Sequence, residues 1–469
     1  GGLVTALGPV LSGRGGVWIG WPGASGEDAM EAVRGGATGE AESDVEDIGY
    51  QLHPVALTDD EVRGYYHGFA NEVLWPLFHD LVTRCNYDPV NWPIYEQVNR
   101  KFAETITLGT RADDYVWIQD YHLMLCAKTL RDMGVQRRTG FFLHIPFPPL
   151  DIFLKLPWRF QILEGLLAHD LLGFQTMRDK RNFISCVRTL MPGVRVRSSN
   201  KAVSDVEFLD RTVRVGGFPI GIDFKSFADD AAQQEVSDKA WYLHEQLPDR
   251  RLILGVDRLD YTKGLPERIT AIGHTLERYP ELQGKFTFIQ VVVPSRESVP
   301  EYQQLKAEVE RRVGEVNGRF TRDGWTPIHY QYRSLKRSEL LAYYRTCEVA
   351  LVTPLKDGMN LVAKEFCACS LETGVLILSE FAGAAAQLHQ GALMVNPFDQ
   401  HGLADAIHGA LTMSGDDARE RMRRLRRNVQ RQNVFWWVDQ FLRAAISLDL
   451  SHFPRLHYFV PTPPTESSL

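Results

Sequence analysis

A chain of 469 residues is too long for one ordinary domain, so two or three are expected. With 44% hydrophobic residues, 24% charged residues and a formal net charge of -7, it reads as a soluble globular protein with no general attraction to nucleic acid or an anionic membrane. No apolar run is long enough to span a bilayer, and the six cysteines show neither a CxxC pair nor metal-ligand spacing, which fits buried thiols in a reducing, cytoplasmic compartment.

The chain opens "GGLVTALGPVL" with no basic segment ahead of it, so a secretory signal is not expected. A glycine pair normally follows a strand that delivers the loop; the start is read as trimmed. Residues 35–48, "GGATGEAESDVEDI", are acidic and small, which predicts a mobile surface loop. "GYYHGFANEVLWPLFHD" (64–80) predicts an aromatic helix followed by a loop, with core packing as the default role of Tyr65, Tyr66 and Trp75. "YVWIQD" (115–120), "RTGFFLHI" (138–145) and "LLGFQT" (171–176) predict buried strands with helices between them, hence a doubly wound α/β domain.

A boundary is expected near 222–248, which contains no strong strand. Beyond it the alternation is regular. Strands are predicted at 251–257, 285–294, 326–332, 348–355, 374–380 and 392–397, separated by amphipathic helices, which indicates βαβ units and a parallel sheet. "NVFWWVDQFLRAAISL" (433–448) predicts a helix with a large apolar face, and "VPTPPTESSL" a disordered tail. No internal repeat is evident, and two sheet domains of similar size suggest a ligand cleft between them.

The sequence lacks GxGxxG after a strand, GxxxxGK[ST], HExxH and a DxD pair, which disfavours a dinucleotide oxidoreductase, a P-loop nucleotidase and a dedicated Mg²⁺–diphosphate site. "GVDRLDYTKGLPERI" places Arg258 and Lys263 just past a buried strand, on the edge where open α/β sheets bind ligands. Two cations there suit a phosphate or diphosphate, although a solvated surface pair is an equal alternative for the motif alone. "LVTPLKDGMNLVAKE" (351–365) sets Asp357 at another strand end and Glu365 in the following helix, where carboxylates suit sugar hydroxyls and a ribose; taken singly, a helix N-terminal Asp and a helix-surface Glu are commoner. The glycine of "SEFAGAAAQL" is assigned to close packing, and Arg296 follows the strand at 285–294. In the first half, Asp120 and His144 stand at strand ends, where a lone histidine is more often a structural hydrogen-bonder.

"GGL", "YY…LWP.FH", "DYHL", "FFLHIPFP", "DLLGFQT", "RLDYTKGLPER", "PSR", "WTP", "TPLKDGMNLVAKE" and "LSEFAGAA" occur in this order. Together they resemble the retaining trehalose-6-phosphate synthases, nucleotide-sugar glycosyltransferases, from Gly1 to about residue 450. The resemblance implies a GT-B fold, two Rossmann-like doubly wound α/β domains facing a central cleft. Residues 1–225 would form an acceptor-binding domain and 226–432 a nucleotide-sugar-binding domain. Residues 433–469 would add a helix packing back on the first domain and a disordered tail.

The implied reaction transfers glucose from a nucleotide-glucose to glucose 6-phosphate, retaining the α configuration. UDP-glucose is the first choice of donor, with GDP- and ADP-glucose as alternatives. The resemblance places His144, Arg258, Lys263 and Asp357 at the reacting centre. Gly2 would donate its N–H near the diphosphate, Leu335 would border the base, and Leu361, Val362, Ala363, Lys364 and Glu365 would hold the nucleotide, with Glu365 on the ribose. Tyr66, Trp75, Asp120 and Arg296 would hold glucose 6-phosphate. No metal or other cofactor is implied, and no nucleic acid or membrane partner; whether the chain forms a homo-oligomer is left open. The family's first strand and arginine loop precede the glycine pair and are not in this sequence, and Gln119 replaces a frequent histidine or asparagine. Glucosylglycerol-phosphate synthesis and a non-catalytic sugar-phosphate sensor are the alternative functions.

Overall fold

The structure, a computed structural model, describes residues 7–8, 16–23, 50–197, 202–247, 250–296, 299–447, 450, 453–454, 456 and 459–461. Gly2, the acidic segment 35–48 and the tail from 462 onward lie outside the described residues. The chain divides into two compact units: Gly1–Pro219 with Trp437–Leu456, and Ile220–Trp436 with His457–Leu469. The sequence reading put this division at 225/226, a few residues further along.

Unit 1 is built on a six-stranded sheet in the order β3-β4-β5-β8-β7-β6. Its strands are β3 (Tyr115–Gln119), β4 (Arg138–Leu143), β5 (Leu171–Phe174), β6 (Arg195–Arg197), β7 (Val203–Phe208) and β8 (Arg211–Gly217). The first four in spatial order run parallel, while β6 and β7 pair antiparallel at one edge. A separate parallel pair joins β1 (Val17–Gly20) to β2 (Gln51–Pro54). The β3, β4 and β5 runs were expected because strands covered on both faces are continuously apolar. By contrast β7 and β8, "VSDVEF" and "RTVRVGG", mix polar residues with apolar ones, so they lack an unbroken apolar run and escaped that search.

The expected aromatic helix exists with an unexpected pitch: Val62–Leu74 is a π-helix, followed by an α-helical turn at Trp75–Phe78. The expected C-terminal helix spans Val434–Ile446. Its Trp437 and Phe441 are fully buried against the unit 1 sheet, with ring centroids 4.9 and 4.3 Å from that of Trp117. Strands β4 and β5 make room for Phe441 with glycine: a Cβ at Gly140 or Gly173 would come within 2.9 or 2.8 Å of its ring.

Unit 2 has the regular architecture its sequence suggests. Its strands are β9 (Arg251–Arg258), β10 (Phe286–Val293), β11 (Ile328–Tyr332), β12 (Val349–Val352), β13 (Val375–Ser379) and β14 (Leu393–Val395). All pair parallel, in the order β11-β10-β9-β12-β13-β14. Numbered within the unit this is 3-2-1-4-5-6, the doubly wound order whose direction of winding reverses between β9 and β12. Crevices for ligands open at that reversal, beyond the carboxyl ends of the strands.

One buried side chain fastens this edge from below. Arg268, on the helix Leu265–Arg278, is fully buried and pairs with Asp257 of β9. It also donates to Gln290 Oε1 of β10 at 3.0 Å, to Thr353 Oγ1 beyond β12 at 2.9 Å, and to the carbonyl of Lys263 at 3.2 Å. A buried guanidinium is tolerated only with such a full set of acceptors.

Candidate active site

At the switch point of unit 2, β9 ends on the exposed Arg258. The chain continues through Asp260 into a single 3₁₀ turn, Tyr261–Lys263, closed by Gly264 in the left-handed conformation (φ 65°). A side chain at Gly264 would also approach the Thr353 carbonyl to 2.5 Å, so glycine is required twice over. The turn delivers Lys263 to Asp357, beyond β12: Nζ lies 2.6 Å from Oδ2, with the side chains 12% and 15% exposed. Asn360 Nδ2 donates to the same carboxylate oxygen at 3.2 Å. Two residues read separately, 94 positions apart, are thus one sheltered ion pair spanning the switch point.

The Asp357 loop is laced to its neighbour. Asp357 N donates to Phe381 O at 3.3 Å, and Gly383 N to Asp357 O at 3.1 Å. Gly383 lies against the Gly358 carbonyl so closely that no Cβ fits, so the glycine of "SEFAGAA" serves close packing. Asn360, at φ 76°, caps the helix Leu361–Cys369 by accepting from Ala363 N at 3.2 Å.

Within that helix the expected donor residues separate. Leu361 and Val362 are half-buried, whereas Ala363 and Lys364 turn into the core. The Lys364 ammonium donates to Ile220 O at 2.5 Å and Gln387 Oε1 at 2.6 Å, and burial pushes its pKa down to about 7. Glu365 accepts from Tyr344 OH at 2.8 Å, and burial holds its carboxyl above the usual range. Leu335 is half-buried in the loop after β11.

Arg296 stands three residues past β10 at φ 51°. It donates to the Tyr302 hydroxyl and lies 3.9 Å from Asp260 Oδ2. Burial alone would raise the Asp260 pKa, but Lys263, Arg296 and Arg258 outweigh it and hold the carboxyl below its usual range.

In unit 1, β3 and β4 run side by side and bring Asp120 and His144 together at their ends. Asp120, at φ 72°, accepts through Oδ1 from Tyr121 N at 3.0 Å and from His144 N at 3.2 Å. His144 Nε2 lies 2.9 Å from Gln119 Oε1, and burial pushes its pKa down to about 3. The ring is therefore neutral at ordinary pH; Nε2–H donates to Gln119 and Nδ1 is left as the acceptor. Tyr66 stacks on His122 at 5.8 Å and 11° and meets Trp21 at 5.3 Å. Trp75, 5.8 Å from the Tyr121 ring, completes a cluster of Tyr66, Trp75 and Asp120 around Tyr121 and His122.

The family model described as Glycosyltransferase family 20 matches residues 1–446. The chain belongs to glycosyltransferase family 20. A "Trehalose-6-phosphate synthase" of Mycobacterium sp. (strain KMS) is 43% identical over 449 residues, covering 95% of this chain and 89% of the relative. The solved structure of an alpha,alpha-trehalose-phosphate synthase (UDP-forming) from Burkholderia xenovorans, in complex with glucose-6-phosphate, superposes with a TM-score of 0.88 at 36% identity, covering 95% of this chain and 97% of the other. A second solved structure, a trehalose-6-phosphate synthase studied for glycosyltransfer with retention using bisubstrate glycomimetics, gives 0.85 at 36% identity, covering 95% and 96%.

This family 20 glycosyltransferase therefore has the GT-B fold, with two Rossmann-like units. Sequence reasoning named its strand-end residues but missed Asp260, Arg268, His122 and Tyr344. His122 and Asp260 stand inside the motifs "DYHL" and "RLDYTKG", so their positions were in view. Arg268 closes the longer motif "RLDYTKGLPER" and was in view too, whereas Tyr344 gave no local signal, because its partner Glu365 lies on another helix. Among the described residues, no helix is long and apolar enough to cross a membrane.

Proposed function

We propose that this glycosyltransferase moves glucose from UDP-glucose to glucose 6-phosphate with retention of the α configuration, releasing UDP and α,α-trehalose 6-phosphate. The observation that carries the reading is the Lys263–Asp357 pair across the switch point of unit 2, with Arg258 on the same strand end. A cation and a sugar-binding carboxylate side by side suit a ligand that has a diphosphate next to a hexose. The names of the relatives support the acceptor, the nucleotide and the stereochemistry.

In this reading Arg258 and Lys263 face the donor diphosphate, and Asp357 and His144 bind hydroxyls of the donor glucose. The neutral His144 ring acts by hydrogen bonding and not as an acid. Gly2 contributes an N–H, Leu335 borders the base, and the first turn of the 361–369 helix holds the nucleotide with Glu365 on the ribose. Lys364 enters as an anchor of that helix, since its ammonium is committed to Ile220 and Gln387. Tyr66, Trp75, Asp120 and Arg296 hold glucose 6-phosphate, Arg296 on its phosphate.

Chemistry follows from the residue types. The donor C1–O bond to the diphosphate breaks as C1 bonds to the acceptor's anomeric oxygen, and the leaving diphosphate takes the proton of that hydroxyl. Arg258 and Lys263 stabilise the charge that develops on the leaving group, work that needs no divalent metal. The remaining barrier reduction comes from holding both sugars in position. Proton NMR of the product tests the stereochemistry: two α anomeric signals are expected, and a β linkage at the donor-derived glucose overturns the proposal.

A further inference from the structure

Arg296 is held by two side chains the sequence did not single out. Its guanidinium donates from Nη1 to Tyr302 OH, and the same nitrogen lies 3.9 Å from Oδ2 of Asp260. All three groups are sheltered: the Arg296 side chain is 7% exposed, that of Asp260 3%, and Tyr302 is buried in the helix Pro300–Phe320. The Tyr302 ring packs 5.4 Å from that of Tyr261, and burial keeps its hydroxyl protonated.

The two oxygens of Asp260 do different things. Oδ1 accepts from Thr262 N at 2.9 Å and from Thr262 Oγ1 at 2.8 Å, which shapes the turn that presents Lys263. Oδ2 faces Arg296 at a distance longer than a closed charge-assisted hydrogen bond. It orients the guanidinium by charge while Tyr302 fixes it by hydrogen bonding. One buried carboxylate thus offsets Arg258, Lys263 and Arg296, which would otherwise repel one another.

We propose that Asp260 and Tyr302 are positioning residues that pre-orient Arg296 for the phosphate of the acceptor sugar. The inference rests on the reading of Arg296 as an acceptor-phosphate ligand. An arginine has a large rotamer entropy to lose, and one already ordered without ligand loses less of it on binding. Tyr302 and Asp260 therefore act on acceptor affinity through Arg296 and not by touching the sugar.

The test is a double-mutant cycle on acceptor KM, with donor-side affinity read by calorimetric titration of UDP. Y302F should raise the KM for glucose 6-phosphate about 3- to 10-fold, the worth of one hydrogen bond, with kcat falling less and UDP affinity unchanged. D260N keeps an acceptor for Thr262 but removes the charge, and should raise KM further. In an R296A background the Y302F effect should vanish, because both changes remove the same contact. A merely structural Tyr302 would add its full effect to that of R296A, or lower kcat and KM together with stability. If R296A raises acceptor KM while Y302F leaves it unchanged or adds in full, the positioning role is wrong and the proposed function stands. If R296A itself leaves acceptor KM unchanged, the underlying assignment of Arg296 fails. Should D260N not fold, Y302F carries the test alone.

Discussion

Replacing Lys263 with methionine keeps most of the side-chain volume and removes one charge from a pair 2.6 Å apart and mostly sheltered from water. The Asp357 carboxylate then loses this cation, while the amide of Asn360 stays on the same oxygen at 3.2 Å. Breaking a sheltered pair from one side costs about 3 kcal/mol. For a domain of this size that lowers the unfolding midpoint of unit 2 by about 6–12 °C. Catalysis should fall as well: removing one fixed donor from a developing anion costs about 3 kcal/mol, or a hundredfold or more in kcat. The two effects separate in the double variant K263M/D357N. Removing both charges leaves no orphan, so most of the stability should return while activity stays lost. Thermal unfolding of wild type, both single variants and the double variant, each paired with kcat, measures the cycle. Stability losses that simply add would show that the two side chains are not one coupled unit. Near-wild-type kcat in K263M would remove Lys263 from the diphosphate site.

Arg258→Ala should lower kcat about a hundredfold or more, read from initial rates at saturating substrates; an unchanged rate contradicts its place on the leaving group. Activity should survive EDTA, and a strict requirement for added Mg²⁺ would oppose the two-cation reading. Phe441→Ala should destabilise unit 1 by about 3–5 kcal/mol in denaturant titrations, because the ring fills space left by Gly140 and Gly173. Burial holds His144 and His169 at folded pKa values of about 3 and 4, below the unfolded value, so each binds its proton only on unfolding. Their contribution is full above about pH 6.5 and is lost as the pH falls toward the folded values, at up to about 1.4 kcal/mol per pH unit for each histidine. His144→Asn should therefore flatten the fall in stability between pH 6.5 and 4; an equal or steeper fall opposes a neutral buried ring.

The strands of unit 2 were readable because a parallel sheet covered on both faces needs unbroken apolar runs such as "RLILGVD" and "FTFIQVVV". The β6–β8 edge was not, because its mixture of polar and apolar residues resembles surface loop until its pairing is known. Strand ends marked Arg258, Lys263, Asp357, Asp120 and His144 individually. What the sequence could not show is which of them meet: Lys263 and Asp357 are joined by the neighbouring positions of β9 and β12, a property of strand order. The same holds for Arg268, whose side-chain acceptors come from β9, β10 and the residue after β12, and for Lys364, read as a donor contact but folded inward onto Ile220 and Gln387. Gln119, standing where the family often has histidine or asparagine, accepts from the His144 ring, a contact that only the pairing of β3 with β4 reveals.

The central claim is the reaction itself, and a donor-by-acceptor matrix with product identification tests it most directly. UDP-, GDP- and ADP-glucose would each be offered with glucose 6-phosphate, glycerol 3-phosphate and no acceptor, and products separated and identified by mass spectrometry and NMR. The structure and the relatives predict α,α-trehalose 6-phosphate from UDP-glucose and glucose 6-phosphate as the dominant product. Preferred turnover of glycerol 3-phosphate, or no transfer with any donor while the protein is folded, would contradict it.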